Sequence, residues 1–133
     1  MKRNKLNICE ILKISKTIAV VGISHNPTRT SRMITDYLKY EGFYVVGVNP
    51  GMPKIDGIDV YAKLADIPFE IDIVDVFRKS EDIPQLIPDV LAIKPKVLWL
   101  QLGIRNDEAV QPCIESGITT IQNKCIKIEH RMC

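Results

Sequence analysis

The sequence has no apolar run near the ~18 residues that a membrane-crossing helix needs. It has no secretory core either: after the basic start "MKRNK", Glu10, Lys13 and Lys16 interrupt "LNICEILKISK" before an apolar region can form. Both absences lead us to expect a cytoplasmic protein that does not engage a membrane. Charge of one sign is also scarce. A formal net charge of +2 and a pI near 8.3 fall short of the clustered basic face of a nucleic-acid binder. Histidine is rare, at two residues. With no Cys-x-x-Cys pair and no zinc-like Cys/His spacing, the pattern argues for no metal. No Ser/His/Asp set or acid pair can be assembled, so no catalytic residue is expected. The four cysteines, Cys9, Cys113, Cys125 and Cys133, are expected to be free thiols in a reducing compartment.

Repeats, linkers and low-complexity tracts are missing as well. The 133 residues therefore read as one domain spanning 1–133, which buries about two-thirds of its unfolded surface without a staple. Along the chain the periodicity alternates. "NICEILKIS" sets Ile8, Ile11 and Leu12 on one helical face, with Asn7 as its cap. "TIAVVGIS" is a continuous apolar strand of the kind buried on both faces. A helix over about 31–41 stacks Ile34, Tyr37 and Leu38, and Gly42 follows as a left-handed stop. "FYVVGV" is a second strand and "VYAKLADIP" a short helical turn. "IDIVDVF" is a third strand whose Asp72 and Asp75 face opposite ways, so at least one should lie near a strand end or a polar partner.

"SEDIPQLIPDVLAIKP" is a helix capped by Ser80, with Pro88 as an objection inside it. "KVLWLQLG" is a fourth strand, with Trp99 as core. "NDEAVQPCIESG" is a helix capped by Asn106, and Pro112 raises the same objection there. "ITTIQ" is a fifth strand, followed by the tail "NKCIKIEHRMC". Such alternation predicts an α/β fold: a doubly wound three-layer sandwich with a five-stranded parallel sheet. Ligands of such sheets bind beyond the carboxyl ends of the strands, where the strand order reverses.

The first of those loops is "GISHNPTRTS". Gly22 allows a tight turn, and the helix start beyond it offers backbone N–H groups and a positive dipole end to an anion. Ser24, Thr28, Thr30 and Ser31 add hydroxyls, and Arg29 can fork onto a phosphate. A merely capped helix start is the plainer alternative. The loop lacks two of the three glycines of a dinucleotide fingerprint. Strand two ends in Asn49-Pro50, with Lys54 beyond, where an NAD site would hold a carboxylate. A cation there suits an extra ribose phosphate, which NADP and coenzyme A both carry.

The segments "IAVVGIS", "VVGVNPG", "VYAKLADIP", "DIVDVFRKSE", "VLWLQLGI" and "NKCIKIEH" resemble, in that order, the small stand-alone CoA-binding domain proteins. These are similar to the nucleotide-binding domain that opens the succinyl-CoA synthetase alpha subunit and the ADP-forming acyl-CoA synthetases. The resemblance runs from about residue 5 to about 130. It implies a Rossmann-like fold that binds coenzyme A or an acyl-CoA through its ADP moiety, as a non-catalytic binding or regulatory module with a possible protein partner. By matching position, Gly22, Ser24, Arg29, Thr30 and Ser31 would cradle the pyrophosphate. Asn49, Pro50 and Lys54 would lie by the ribose phosphate, Phe77 and Arg78 would line the adenine or pantetheine side, and Gln101 and Gly103 would face the crevice. The synthetases use further domains for catalysis that these residues do not supply. An NADP(H)-binding enzyme or redox sensor using the same crevice is the alternative. Cys125, after strand five, is the one thiol placed at that edge; a buried, inert cysteine is its plainer reading.

Overall fold

The computed structural model describes residues 7–51, 54–55 and 57–133. Its centre is a sheet of β1 (Thr17–Val21), β2 (Tyr44–Val48), β3 (Val60–Tyr61), β4 (Ile73–Val76), β5 (Val97–Leu100) and β6 (Thr119–Ile121). The strands run in the order β3-β2-β1-β4-β5-β6, and every neighbouring pair is parallel. The sheet thus has six strands, not the expected five. The extra one, β3, lies inside "VYAKLADIP", read from sequence as helical. Two residues are too short for strand alternation to show. Their conformation is set by pairing across the sheet edge, where Gly47 N–H donates to Asp59 O at 2.8 Å and Asn49 N–H to Tyr61 O at 2.9 Å. The helical part shrinks to a single 3₁₀ turn at Leu64–Asp66.

Among the described residues, five α-helices cover the two faces: α1 (Ile8–Ile14), α2 (Thr30–Tyr40), α3 (Ile83–Ile93), α4 (Asp107–Glu115) and α5 (Ile126–Arg131). Successive strand residues point to opposite faces. Ile18, Val20, Ile73 and Trp99 pack with Ile11, Leu12, Ile34, Leu38 and Ile126 of α1, α2 and α5. Ala19, Val21, Val74, Val76, Leu98 and Leu100 pack on the other face with Ile83, Ile87 and Val90 of α3 and Val110 and Cys113 of α4. Both faces being covered explains why the strands read as continuous apolar runs. Trp99 is fully buried.

The caps follow side-chain chemistry. Asn7 accepts from Cys9 N–H at 2.7 Å, and Asn106 accepts from Ala109 N–H at 3.1 Å. Ser80 does not cap α3. It opens a 3₁₀ turn, Ser80–Asp82, ahead of the helix, and its hydroxyl accepts from Arg105 N–H at 3.0 Å. Pro88 and Pro112 both lie inside helices. Each stands in the second turn, so the carbonyl it leaves unbonded belongs to the opening turn, at the exposed Pro84 and Glu108. At an exposed helix opening such a carbonyl is open to solvation.

Two pairs of side chains overturn or sharpen the sequence reading. Cys9 and Cys133 are not free thiols: they form a disulfide, with Cα atoms 5.5 Å apart and a sequence separation of 124. Cys113 and Cys125 are free. The expectation of four free thiols failed because these two lie at opposite ends of the chain, with no spacing motif to signal the pairing. Asp72 and Asp75 divide as the strand period requires. Asp72, just before β4, accepts from Lys16 and Thr17 N–H at 2.7 and 3.2 Å and pairs with Lys96 at 3.4 Å. Asp75 lies mid-sheet between Val20 and Trp99, fully buried, with neither carboxyl oxygen hydrogen-bonded.

Candidate functional site

The strand order reverses between β1 and β4, so the crevice opens beyond their carboxyl ends. Gly22 ends β1 with φ +87°, and its N–H donates to Val48 O at 2.9 Å. Phe77 N–H in turn donates to Val21 O at 2.8 Å. These bonds hold the ends of β1, β2 and β4 together at the mouth.

The loop from Gly22 to α2 is stapled by its own side chains. Ser24 N–H donates to Ser31 Oγ at 3.0 Å, and Asn26 N–H to Ser24 Oγ at 3.0 Å. Asn26 Oδ1 then accepts from Thr28 N–H at 3.0 Å and Thr28 Oγ1 at 2.8 Å. The hydroxyls of Ser24 and Ser31 therefore shape the loop. Arg29 sits at the cap position of α2 but makes no side-chain capping bond. Among the described residues, the N–H groups of Thr30 and Ser31 donate to no protein acceptor. Exposed Arg29 stands next to these open amides, which is the electrostatic arrangement that favours an anion.

Two cavities flank the crevice. The first, about 400 Å³, has a floor of Val21, Val48 and Pro50 and one wall of Ala62, Lys63 and Leu64. Arg78, Asp82 at the cap of α3, and Gln85, Leu86 and Asp89 of α3 complete it. The second, about 490 Å³, lies between Phe77–Glu81 and Leu102–Ile104. Arg78 lines both.

Of the residues singled out from sequence, Pro50, Phe77, Arg78 and Gly103 line a cavity. Gly22, Ser24, Arg29, Thr30 and Ser31 form the adjacent loop and helix start. Asn49 reaches the same region, but its amide N–H₂ donates to Ile23 O at 2.8 Å, tying β2 to the loop. Lys54 lines neither cavity; it is 74% exposed and lies 3.9 Å from Asp59. Gln101 is buried, and its amide oxygen accepts from Ile126 N–H at 3.1 Å, toward α5. Sequence reasoning missed the wall built by Ala62, Lys63 and Leu64 and by α3. The wall of residues 62–64 exists because β3 pairs at the edge, which the sequence pattern did not reveal. The polar stripe of Asp82, at the cap of α3, with Gln85 and Asp89 of the helix was visible at helical spacing and could have been taken as a pocket wall.

A family model described as a CoA binding domain matches residues 16–131. The chain belongs to the CoA-binding domain family. The Bacillus subtilis (strain 168) protein YneT is 41% identical over 127 residues, which cover 96% of this chain and 94% of YneT. A Thermus thermophilus structure, cell-free ID.343, is 35% identical with a TM-score of 0.90, covering 96% of this CoA-binding family member and 98% of that chain. Acetyl-coenzyme A synthetase 1 of Ca. Korarchaeum cryptofilum shares the fold at 22% identity and a TM-score of 0.68. That match covers 79% of this chain and only 25% of the synthetase. The Rossmann-like architecture is therefore common to stand-alone proteins of this size and to one portion of a much larger enzyme. Among the described residues, no helix is long and apolar enough to cross a membrane.

Proposed function

We propose that the chain binds coenzyme A or an acyl-CoA through its ADP moiety and serves as a non-catalytic binding or regulatory module. The observation that carries this reading is the junction of the two cavities at Arg78, just past the end of β4, the strand paired with the one that leads into the open amides of α2, in a chain of the CoA-binding domain family. Coenzyme A is a bipartite ligand: a flat nucleoside at one end, a flexible pantetheine at the other, with phosphates between. In this reading the adenine enters the first cavity over Val21, Val48 and Leu64. The side chains of Asp82, Gln85 and Asp89 are placed along that cavity to accept from its exocyclic amine. The pyrophosphate faces Arg29, Arg78 and the start of α2. The pantetheine follows the second cavity past Phe77, Leu102 and Ile104.

Calorimetric titration with coenzyme A, dephospho-CoA, NADP and NAD tests the proposal. Coenzyme A is expected to bind best, more weakly as salt rises, because charged contacts dominate. Tighter binding of NADP than of coenzyme A would replace this reading with that of a nicotinamide-dependent protein. No heat with any of the four at millimolar concentration would end both.

A further inference from the structure

We infer that the Cys9–Cys133 disulfide is a redox clasp that sets the order of the second cavity's rim, and so regulates the site proposed above for coenzyme A. The ligand part of this inference rests on that reading; the clasp itself does not.

The route from the disulfide to the rim can be followed bond by bond. Residues 123–126, which lead into α5, are stitched to the end of β5. Trp99 Nε1–H donates to Lys124 O at 2.8 Å, and Ile126 N–H to Gln101 Oε1 at 3.1 Å. Gly103 N–H donates to Asn123 Oδ1 at 2.7 Å, and Asn123 N–H to Ile104 O at 3.1 Å. Leu102, Gly103 and Ile104 are the residues that line the cavity. The rim of the cavity is thus buttressed by the entry to α5.

α5 has only six residues, far below the length at which a helix holds itself together in water. It depends on what anchors its far end. One anchor is His130, whose Nδ1 lies 2.6 Å from Tyr37 Oη and whose ring packs edge-on against Phe43. The other is Cys133, bonded to Cys9 in the first turn of α1. Cys133 is exposed and Cys9 partly so, so a reductant reaches the bond. Cutting it leaves the far end of α5 to His130, while Ile126 stays buried at the near end, and removes the covalent tie between the chain beyond α5 and α1.

The reductant is a small-molecule thiol, the class to which coenzyme A itself belongs. Its thiolate attacks Cys133 Sγ, breaking the Cys9–Cys133 bond and releasing Cys9 as a thiolate that takes up a proton. A second thiolate attacks the small-molecule sulfur of the mixed disulfide, and Cys133 leaves and is protonated. Two small thiols are oxidised to one disulfide, and their two electrons and two protons end on the two cysteines.

The test uses the whole protein and S-methyl-CoA, which carries the full pantetheine arm but cannot reduce a disulfide. Thiol titration under denaturing conditions is expected to find two free thiols in the oxidised protein and four after reduction. On reduction, amide hydrogen exchange is expected to rise at residues 100–104 as well as at 123–133, and S-methyl-CoA affinity to fall at least fivefold. The double variant Cys9→Ser/Cys133→Ser is expected to match the reduced form with or without oxidant. Four free thiols after treatment with a disulfide-forming oxidant overturn the inference. So does exchange that rises in α1 and α5 but stays unchanged at 100–104. Unchanged S-methyl-CoA affinity alongside a loosened rim overturns the regulatory step. If the oxidised protein binds no S-methyl-CoA, the coenzyme A reading fails, while thiol counts and exchange still decide the clasp.

Discussion

The carbonyl oxygen of Phe77 lies 2.5 Å from the point where a β-carbon on Gly22 would sit. Gly22 also holds φ at +87°, so a side chain there meets backbone strain and a backbone atom together. Gly22→Ala is expected to destabilise the fold by roughly 2–4 kcal/mol, since neither β1 nor β4 can withdraw without breaking the Phe77–Val21 bond. Urea unfolding measures it. An unchanged midpoint would mean that the two strand ends are free to part.

In the coenzyme A reading proposed above, Arg29 and Arg78 are the cations assigned to the pyrophosphate. Replacing either with Ala is expected to weaken coenzyme A by about tenfold or more, as loss of a charge-assisted hydrogen bond costs roughly 1.5–3 kcal/mol. Lys54, 74% exposed and near Asp59, is expected to matter less than either arginine. Parallel calorimetry on the three variants checks the ranking. A larger loss at Lys54 would move the phosphate site to the end of β2.

Burial pushes the Asp75 carboxyl well above the ordinary carboxylate range. The folded chain therefore keeps a proton that the unfolded chain has released, and stability falls as pH rises above the ordinary carboxylate value toward the raised one. Asp75→Val, which suits the neighbouring Val20 and Trp99, is expected to raise stability by about 1–3 kcal/mol near neutral pH. The gain should be much smaller at about pH 4, where the unfolded carboxyl also holds much of its proton. Thermal unfolding at the two pH values decides it. A variant less stable than the parent at both would assign the carboxyl a partner.

Asp72 has the opposite sign. Burial alone would raise its pKa, but the Lys16 and Thr17 N–H groups and the Lys96 charge together bring it below the ordinary value. Its stabilisation is present above the ordinary carboxylate pKa and is lost as pH falls through the lowered one. Asp72→Ala leaves two backbone donors without their acceptor. It is expected to cost about 1–3 kcal/mol near neutral pH, with the gap to the parent closing in strong acid. A pH-independent difference would attribute the loss to packing.

What could be read beforehand was whatever local chemistry decides. The Asn7 and Asn106 caps, the central strands and the buried Trp99 follow from side-chain type and period, and they were legible. β3 was not, because Val60 and Tyr61 become a strand only through the bonds that Gly47 and Asn49 donate. The Ala62, Lys63 and Leu64 wall of the first cavity was hidden for the same reason. Gln101 shows the converse: its place in the chain suggested the crevice, while a distant N–H at Ile126 turns it toward α5. Nor does any spacing tell Cys9 that Cys133 will be beside it.

That last pairing also changes what a cut in the backbone would do. With Cys9 and Cys133 bonded, the polypeptide between them is a covalent ring. A single protease nick at any surface turn within it opens the ring without releasing a fragment. Non-reducing electrophoresis would then show one species where reducing electrophoresis shows two.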